Sequence, residues 1–200
     1  MAEVRLLGLC ATAEADPFGE MLLRALSAPG PTGVRLDVYA VPSVTPPDSD
    51  AGGPSGQAAG RALGRLVARS DGLLITAPES DSPPPEPLLS ALNGLTWTKG
   101  TSPLAGKPVG VLTTTHIGTS PAAAYCETER MLLSAGADLV GPRATVLCAG
   151  HTLHEEPDGQ VRLVDPAVTM RLLLHVHRIA AAARTVYRLP PAEGPGTWLL

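Results

Sequence analysis

The sequence predicts an α/β domain in which a five-stranded parallel sheet lies between two layers of helices. Two observations support this prediction: short apolar runs alternate with longer segments of helical spacing, and three of the runs are apolar almost throughout. A strand has this composition when helices cover both faces of a parallel sheet. A length of 200 residues with 44% hydrophobic content suits a single domain with a substantial core.

Five apolar runs are predicted to be strands, and they comprise residues 4–11, 33–41, 72–77, 108–114 and 143–149. The second run is the more polar one and is expected at an edge of the sheet. Right-handed crossovers and short connections favour the strand order 2-1-3-4-5, with the topological switch point between strands 1 and 3. Ligands are then expected where strands 1, 3 and 4 end, in segments 10–19, 77–87 and 113–121.

Apolar residues that recur at i, i+3, i+4 and i+7 predict helices over residues 18–26, 59–67, 88–95 and 124–135, and a fifth from about 166 to 187. Three helix starts combine a capping side chain with a proline at the first helical position: Asp16-Pro17, Ser120-Pro121 and Asp165-Pro166. Gly136 suits the C-terminal turn of the fourth helix.

Two segments are too rich in proline and glycine to pack as regular elements. Residues 42–57 are predicted to form a mobile loop. Residues 189–200 form a tail that ends in the apolar residues 198–200, and these either fray or dock on a partner subunit. The sequence therefore divides into a domain over 1–188 and a tail over 189–200.

Charge and composition exclude several classes of partner. Fifteen Lys and Arg against 19 Asp and Glu leave no basic surface for nucleic acid. No run approaches membrane-spanning length, and the start "MAEVRLLGLC" reads as a strand instead of a secretion signal. Three cysteines without paired spacing fit a reducing compartment. We expect a cytoplasmic protein that acts on a small molecule and binds neither nucleic acid nor membrane.

Three segments carry the motifs of a known family: "SDGLLITAPESDSPPPEPLLSALNGL", "PLAGKPVGVLTTTHIGTSPAAAYCETERMLLSAGADLV" and "DGQVRLVDPAV". Over about residues 4 to 185 the chain resembles the NADPH-dependent FMN reductase family. The resemblance implies a flavodoxin-like three-layer sandwich with an FMN cofactor, and NADPH or NADH as the hydride donor. It also implies a quinone-like or other small acceptor and a homodimer.

The resemblance also implies which residues bind the flavin: Thr12 in the loop after strand 1, Pro78, Glu79, Ser80 and Asp81 after strand 3, and Thr114, Thr115, His116 and Gly118 after strand 4. The candidate catalytic residues are His116, Asp81 and Cys10. His116 either donates to a ligand oxygen or faces solvent, and Cys10 is either a nucleophile or, more in keeping with its strand, a packing residue.

No metal site is expected. Residues 151–156, "HTLHEE", bring two histidines and two glutamates together, but they lack a further ligand fixed elsewhere and read as a solvated loop. His175 and His177 are two apart on a helix and are expected to point away from each other.

The first two loops support a second hypothesis. If Asp16 caps the first helix, its carboxylate takes N–H groups that a phosphate would use and repels an anion. Prolines at 83–85 remove backbone donors from the second loop. The protein would then have kept the flavodoxin-like scaffold and lost FMN. It would be either a cofactor-free enzyme for a small molecule or a non-catalytic partner of another enzyme.

Overall fold

The computed structural model describes residues 3–11, 16–28, 31–41, 54–78, 85–96, 102–115 and 127–186. In chain order the elements are β1 (Val4–Ala11), α1 (Pro17–Ser27), β2 (Val34–Val41), α2 (Pro54–Arg69), β3 (Gly72–Pro78), α3 (Glu86–Thr96), β4 (Pro108–Thr114), α4 (Glu127–Ser134), β5 (Asp138–Leu139), β6 (Ala144–Val146), α5 (Ala149–Thr152), β7 (Leu153–Glu155), β8 (Val161–Leu163) and α6 (Pro166–Val186).

The main sheet is parallel and has the predicted order. Its strands run β2-β1-β3-β4-β5, and β6 also pairs with β4. The register places Leu6 of β1 between Leu36 of β2 and Gly72 of β3. The polar strand β2 lies at the edge as expected, and β7 and β8 form a separate antiparallel hairpin.

Helices cover both faces of this sheet, which explains why its central strands are apolar almost throughout. Leu22 of α1 and Val176 of α6 pack with Leu74 of β3 in one buried cluster. Leu73, the neighbour of Leu74 in β3, faces the other side and packs with α2, α3 and α4. Glycine lets α6 approach closely, because a Cβ at Gly110 would lie 2.3 Å from Ile179 Cδ1.

The predicted fifth strand is wrong in its length and its end. Two short strands, β5 and β6, take its place beside β4, and the turn between them contains Gly141 at φ 71. Pro142 follows it and supplies no backbone N–H. The strand also stops at Val146, so Cys148 does not lie inside it: its φ is 49, in the left-handed region, and it caps α5.

Other predictions need correction or lie outside the described residues. Residues 151–156 are not a loop, because they contain the end of α5 and the strand β7. Helix α2 begins at Pro54, so residues 54–57 belong to it and not to the predicted mobile loop. The predicted helix start at Ser120-Pro121 and the tail 189–200 lie outside the described residues.

Candidate functional site

The first turn of α1 is capped by an aspartate. Asp16 is the N-cap, and its Oδ1 accepts a hydrogen bond from the Gly19 N–H at 3.0 Å. Only 2% of Asp16 is exposed. Pro17 occupies the first helical position, so the predicted start of this helix is confirmed.

The same carboxylate is wedged between α1 and β3. A Cβ placed on Gly19 would lie 2.2 Å from Asp16 Oδ2 and 2.7 Å from Thr76 Oγ1, so glycine is needed for this approach. Thr76 belongs to β3, is fully buried, and its hydroxyl has no hydrogen-bond partner within the part of the chain that the structure describes. The start of α1 therefore lies directly on β3, beside the switch point between β1 and β3.

A run of buried threonines ends β4. The hydroxyls of Thr113 and Thr145 lie 2.8 Å apart, which joins β4 to β6 through side chains. Beyond the strand, the Thr115 N–H donates to the Val146 carbonyl at 3.0 Å, and the Ala149 N–H donates to the Thr115 carbonyl at 2.8 Å. The backbone of Thr115 is thus fixed on both sides where the predicted third ligand loop begins.

Cys10 does not offer a thiol to a ligand. Its side chain is fully buried in the cluster with Leu22 and Leu74, and its Sγ donates to the Tyr39 carbonyl at 3.9 Å. Burial, with the nearby carboxylates of Glu20 and Asp16, raises the pKa of Cys10 to about 12. The packing interpretation is therefore favoured over the nucleophilic one.

The structure brings only part of the predicted site together. Pro78 is the last residue of β3 and pairs in register with Thr114, the last residue of β4, and Thr115 follows. The remaining predicted residues lie outside the described residues: Thr12, Glu79, Ser80, Asp81, His116 and Gly118. Sequence reasoning missed Thr76, although a single hydroxyl in an otherwise apolar run was a usable signal.

The described residues offer neither a cluster of metal ligands nor a membrane-spanning helix. They contain no group of three His, Cys, Asp or Glu side chains that could hold a metal ion. None of their helices is both long enough and apolar enough to cross a membrane.

One protein family and several solved structures are similar to this chain. The model of the family described as NADPH-dependent FMN reductase matches residues 4–151. No curated protein matches the chain. Among solved structures, a flavoenzyme described as NAD(P)H:(acceptor) oxidoreductase, FerB from Paracoccus denitrificans, is similar with a TM-score of 0.69 and 19% identity, over 91% of this chain and 98% of that one.

Two further solved structures are similar in fold. RosB, with a bound riboflavin-phosphate intermediate, has a TM-score of 0.65 and 15% identity over 94% of this chain and 82% of its own. The apo form of an NADH:FMN oxidoreductase, EMOB, has a TM-score of 0.55 and 17% identity over 90% and 89%. At these identities the likeness establishes the flavodoxin-like fold.

Proposed function

Because the chain belongs to the NADPH-dependent FMN reductase family, we propose that it is an NAD(P)H-dependent oxidoreductase that uses a flavin to reduce a quinone-like or other small acceptor. The observation that carries this proposal is the meeting of β1, β3 and β4 at one carboxyl edge, with the switch point between β1 and β3. Flavins bind at this place in flavodoxin-like folds.

The end of β4 fits the ring of a flavin. Thr114 and Thr115 are polar residues at the site edge, and the hydrogen bonds of Thr115 to Val146 and Ala149 hold the chain there in one position. A fixed backbone with hydroxyl groups can orient a planar ring and bind its oxygens. The residues that we propose to contact the ring from the adjoining loops are Glu79, Ser80, Asp81, His116 and Gly118.

The start of α1 does not fit the phosphate of FMN. A phosphate at a helix N-terminus needs unpaired N–H groups and a positive end of the helix dipole. Here the Gly19 N–H is bonded to Asp16, and the carboxylate is buried. Thr12, in the loop before α1, is the residue of this loop that we propose to contact the flavin.

When bound, a flavin supplies the hydride chemistry, and the protein supplies orientation and a site shielded from water. The family description names NADPH as the donor, whereas the similar FerB and EMOB are described with NAD(P)H and NADH. We therefore propose that either nicotinamide can serve. The acceptor of FerB is named only in general terms, and for this chain we propose a small-molecule oxidant such as a quinone.

The experiment is a flavin titration followed by turnover. Purified protein is titrated with flavin by absorption, and NADPH or NADH oxidation is then measured with a naphthoquinone as acceptor. We expect binding and steady turnover. The variant His116→Gln should lower kcat, whereas His151→Gln, a matched change at an exposed histidine of α5, should leave it unchanged. Absence of both binding and flavin-dependent turnover would contradict the proposal.

The buried carboxylate of Asp16 also favours a second candidate, a flavodoxin-like protein that has lost its flavin. Such a protein would be a cofactor-free enzyme for a small molecule or a partner of another enzyme. It predicts no NAD(P)H oxidation with or without added flavin, and the titration above decides between the two. A cytoplasmic homodimer completes the proposal, and light scattering that gave only a monomer would contradict the dimer.

A further inference from the structure

The first turn of α1 carries a buried negative charge where this fold usually offers a positive one. The helix that follows β1 begins at the switch point, so its free N–H groups and dipole favour a phosphate. In this chain Asp16 Oδ1 accepts from the Gly19 N–H at 3.0 Å. An added phosphate dianion would meet a carboxylate instead of a vacant donor.

This carboxylate is buried at the contact between the first turn of α1 and β3. The position of a Cβ on Gly19 is 2.2 Å from Asp16 Oδ2 and 2.7 Å from Thr76 Oγ1, so the carboxylate lies in the contact between α1 and β3. The Thr76 hydroxyl, fully buried and without a hydrogen-bond partner among the described residues, is directed to the same spot.

Neighbouring charges strengthen the negative field. Glu20 and Asp16 both raise the pKa of Cys10, so two carboxylates act on the end of β1. Arg24, the basic residue of α1, is engaged elsewhere: it donates to the Gly159 carbonyl at 2.6 Å and pairs with Glu155 at 3.7 Å. No described residue of α1 therefore offers an uncommitted positive charge to a phosphate.

We propose that Asp16 sets the flavin specificity of this site by removing the preference for a phosphate, so that riboflavin binds at least as tightly as FMN. This inference rests on the proposed function, because it assumes that a flavin binds at this sheet edge.

The test compares the binding of two flavins to two proteins that differ only at residue 16. Dissociation constants of FMN and riboflavin are measured by quenching of flavin fluorescence for the unsubstituted protein and for Asp16→Asn. Asparagine caps a helix as well as aspartate does, so the fold is retained while the charge is lost. We expect Asp16→Asn to bind FMN about tenfold more tightly or better, and riboflavin within about twofold of before.

The control is Asp165→Asn, which makes the same change of charge at the N-cap of α6, where Asp165 accepts from the Ala167 N–H at 2.7 Å. It should leave both constants unchanged. If circular dichroism shows that Asp16→Asn is unfolded, Asp16→Ser replaces it. FMN binding about tenfold tighter than riboflavin to the unsubstituted protein, or an unchanged ratio in Asp16→Asn, would overturn the inference and leave the proposed function standing. Binding of neither flavin to any variant would overturn the proposed function and the inference together.

Discussion

Burial determines the chemistry of Cys10. Its side chain is fully buried, and burial followed by the Coulomb effect of Glu20 and Asp16 raises the pKa of the thiol to about 12. The thiol is therefore protonated at neutral pH, and it is the thiolate that attacks or binds metals. The carboxylates of Glu20 and Asp16, which add to the effect of burial on Cys10, are the same groups that we propose to disfavour a phosphate at α1.

Replacing Cys10 by alanine should change stability and not turnover. We expect Cys10→Ala to keep kcat within about twofold and to lower the free energy of unfolding by about 1–2 kcal/mol, because buried volume is lost. Steady-state kinetics and urea unfolding measure the two effects. Cys148→Ala, at a half-buried cysteine of α5, is the matched control. A folded Cys10→Ala protein without turnover would restore the nucleophilic hypothesis.

His175 is a buried base on the inner face of α6. It is 4% exposed, and its Nε2 has no hydrogen-bond partner in the described part of the chain. A Cβ on Gly110 of β4 would lie 2.7 Å from that nitrogen, so the imidazole presses on the sheet. Burial, with a smaller effect of Arg178, lowers the pKa of His175. The folded state therefore favours the neutral imidazole.

The lowered pKa makes stability depend on pH in a definite direction. Below the usual histidine pKa of about 6.5 the unfolded chain takes up a proton that the folded chain resists, so stability is lost as the pH falls from there towards the folded pKa. We expect His175→Leu to remove this part of the pH slope between pH 7.5 and 5. His177→Leu, two residues on and exposed, should retain it. Equal slopes in both variants, from urea unfolding, would contradict the assignment.

At the scale of elements, strong hydrophobic periodicity predicted the bounds of strands and helices correctly, and weak periodicity did not. Strands 1 and 4 were predicted with their observed bounds, and the fifth helix to within one residue, because burial on one or both faces imposes a clear pattern. The prediction of the fifth strand was wrong because the strands in this part of the chain, β5 to β8, have only two or three residues each. Strands that short leave no period in a sequence, and the turn at Gly141 was overlooked.

The hairpin of β7 and β8 contacts α1 through one arginine, in addition to the packing of Leu153 and Val161 in the buried cluster. Arg24 bonds the Gly159 carbonyl at 2.6 Å, in the turn of the hairpin, and pairs with Glu155 of β7 at 3.7 Å. Both groups are exposed, and exposed ion pairs contribute little to global stability. Their effect should therefore be local.

Substitution of Arg24 should loosen the hairpin without unfolding the domain. We expect Arg24→Gln to lower global stability by less than about 1 kcal/mol. Hydrogen exchange of the Glu156 amide, which bonds the Gln160 carbonyl at 2.8 Å, should become faster. Arg35→Gln is the control, because Arg35 pairs with Asp37 inside β2 and ties no second element. Unchanged exchange in Arg24→Gln would show that the hairpin is held by its apolar residues alone.

At the scale of the whole molecule, the position of the site was predictable and its contents were only partly so. Strand order alone places the switch point, and the ends of β3 and β4 meet there at Pro78 and Thr114. The capping of α1 by Asp16 was also predictable from local sequence. The wedging of that carboxylate against Thr76 was not, because it depends on the packing of a helix on a strand some 60 residues away in sequence.

The division of the chain into a domain and a tail is a prediction about the whole molecule. The two buried clusters lie on opposite faces of the sheet, and among the described residues their members end at Ala183. Within the described residues, the sheet and its helices therefore supply a core on both faces. We expect a chain truncated after residue 188 to unfold with a free energy within about 0.5 kcal/mol of the full chain.

Light scattering of the same truncated chain separates the two roles left open for the tail. A frayed tail predicts an unchanged number of subunits, whereas a tail that docks through residues 198–200 on a second subunit predicts fewer subunits at unchanged stability. A large loss of unfolding free energy in the truncated protein would contradict the division itself, because a true tail contributes no core packing. The domain would then extend to residues near the end of the chain, and its core would be larger than the two clusters on the sheet.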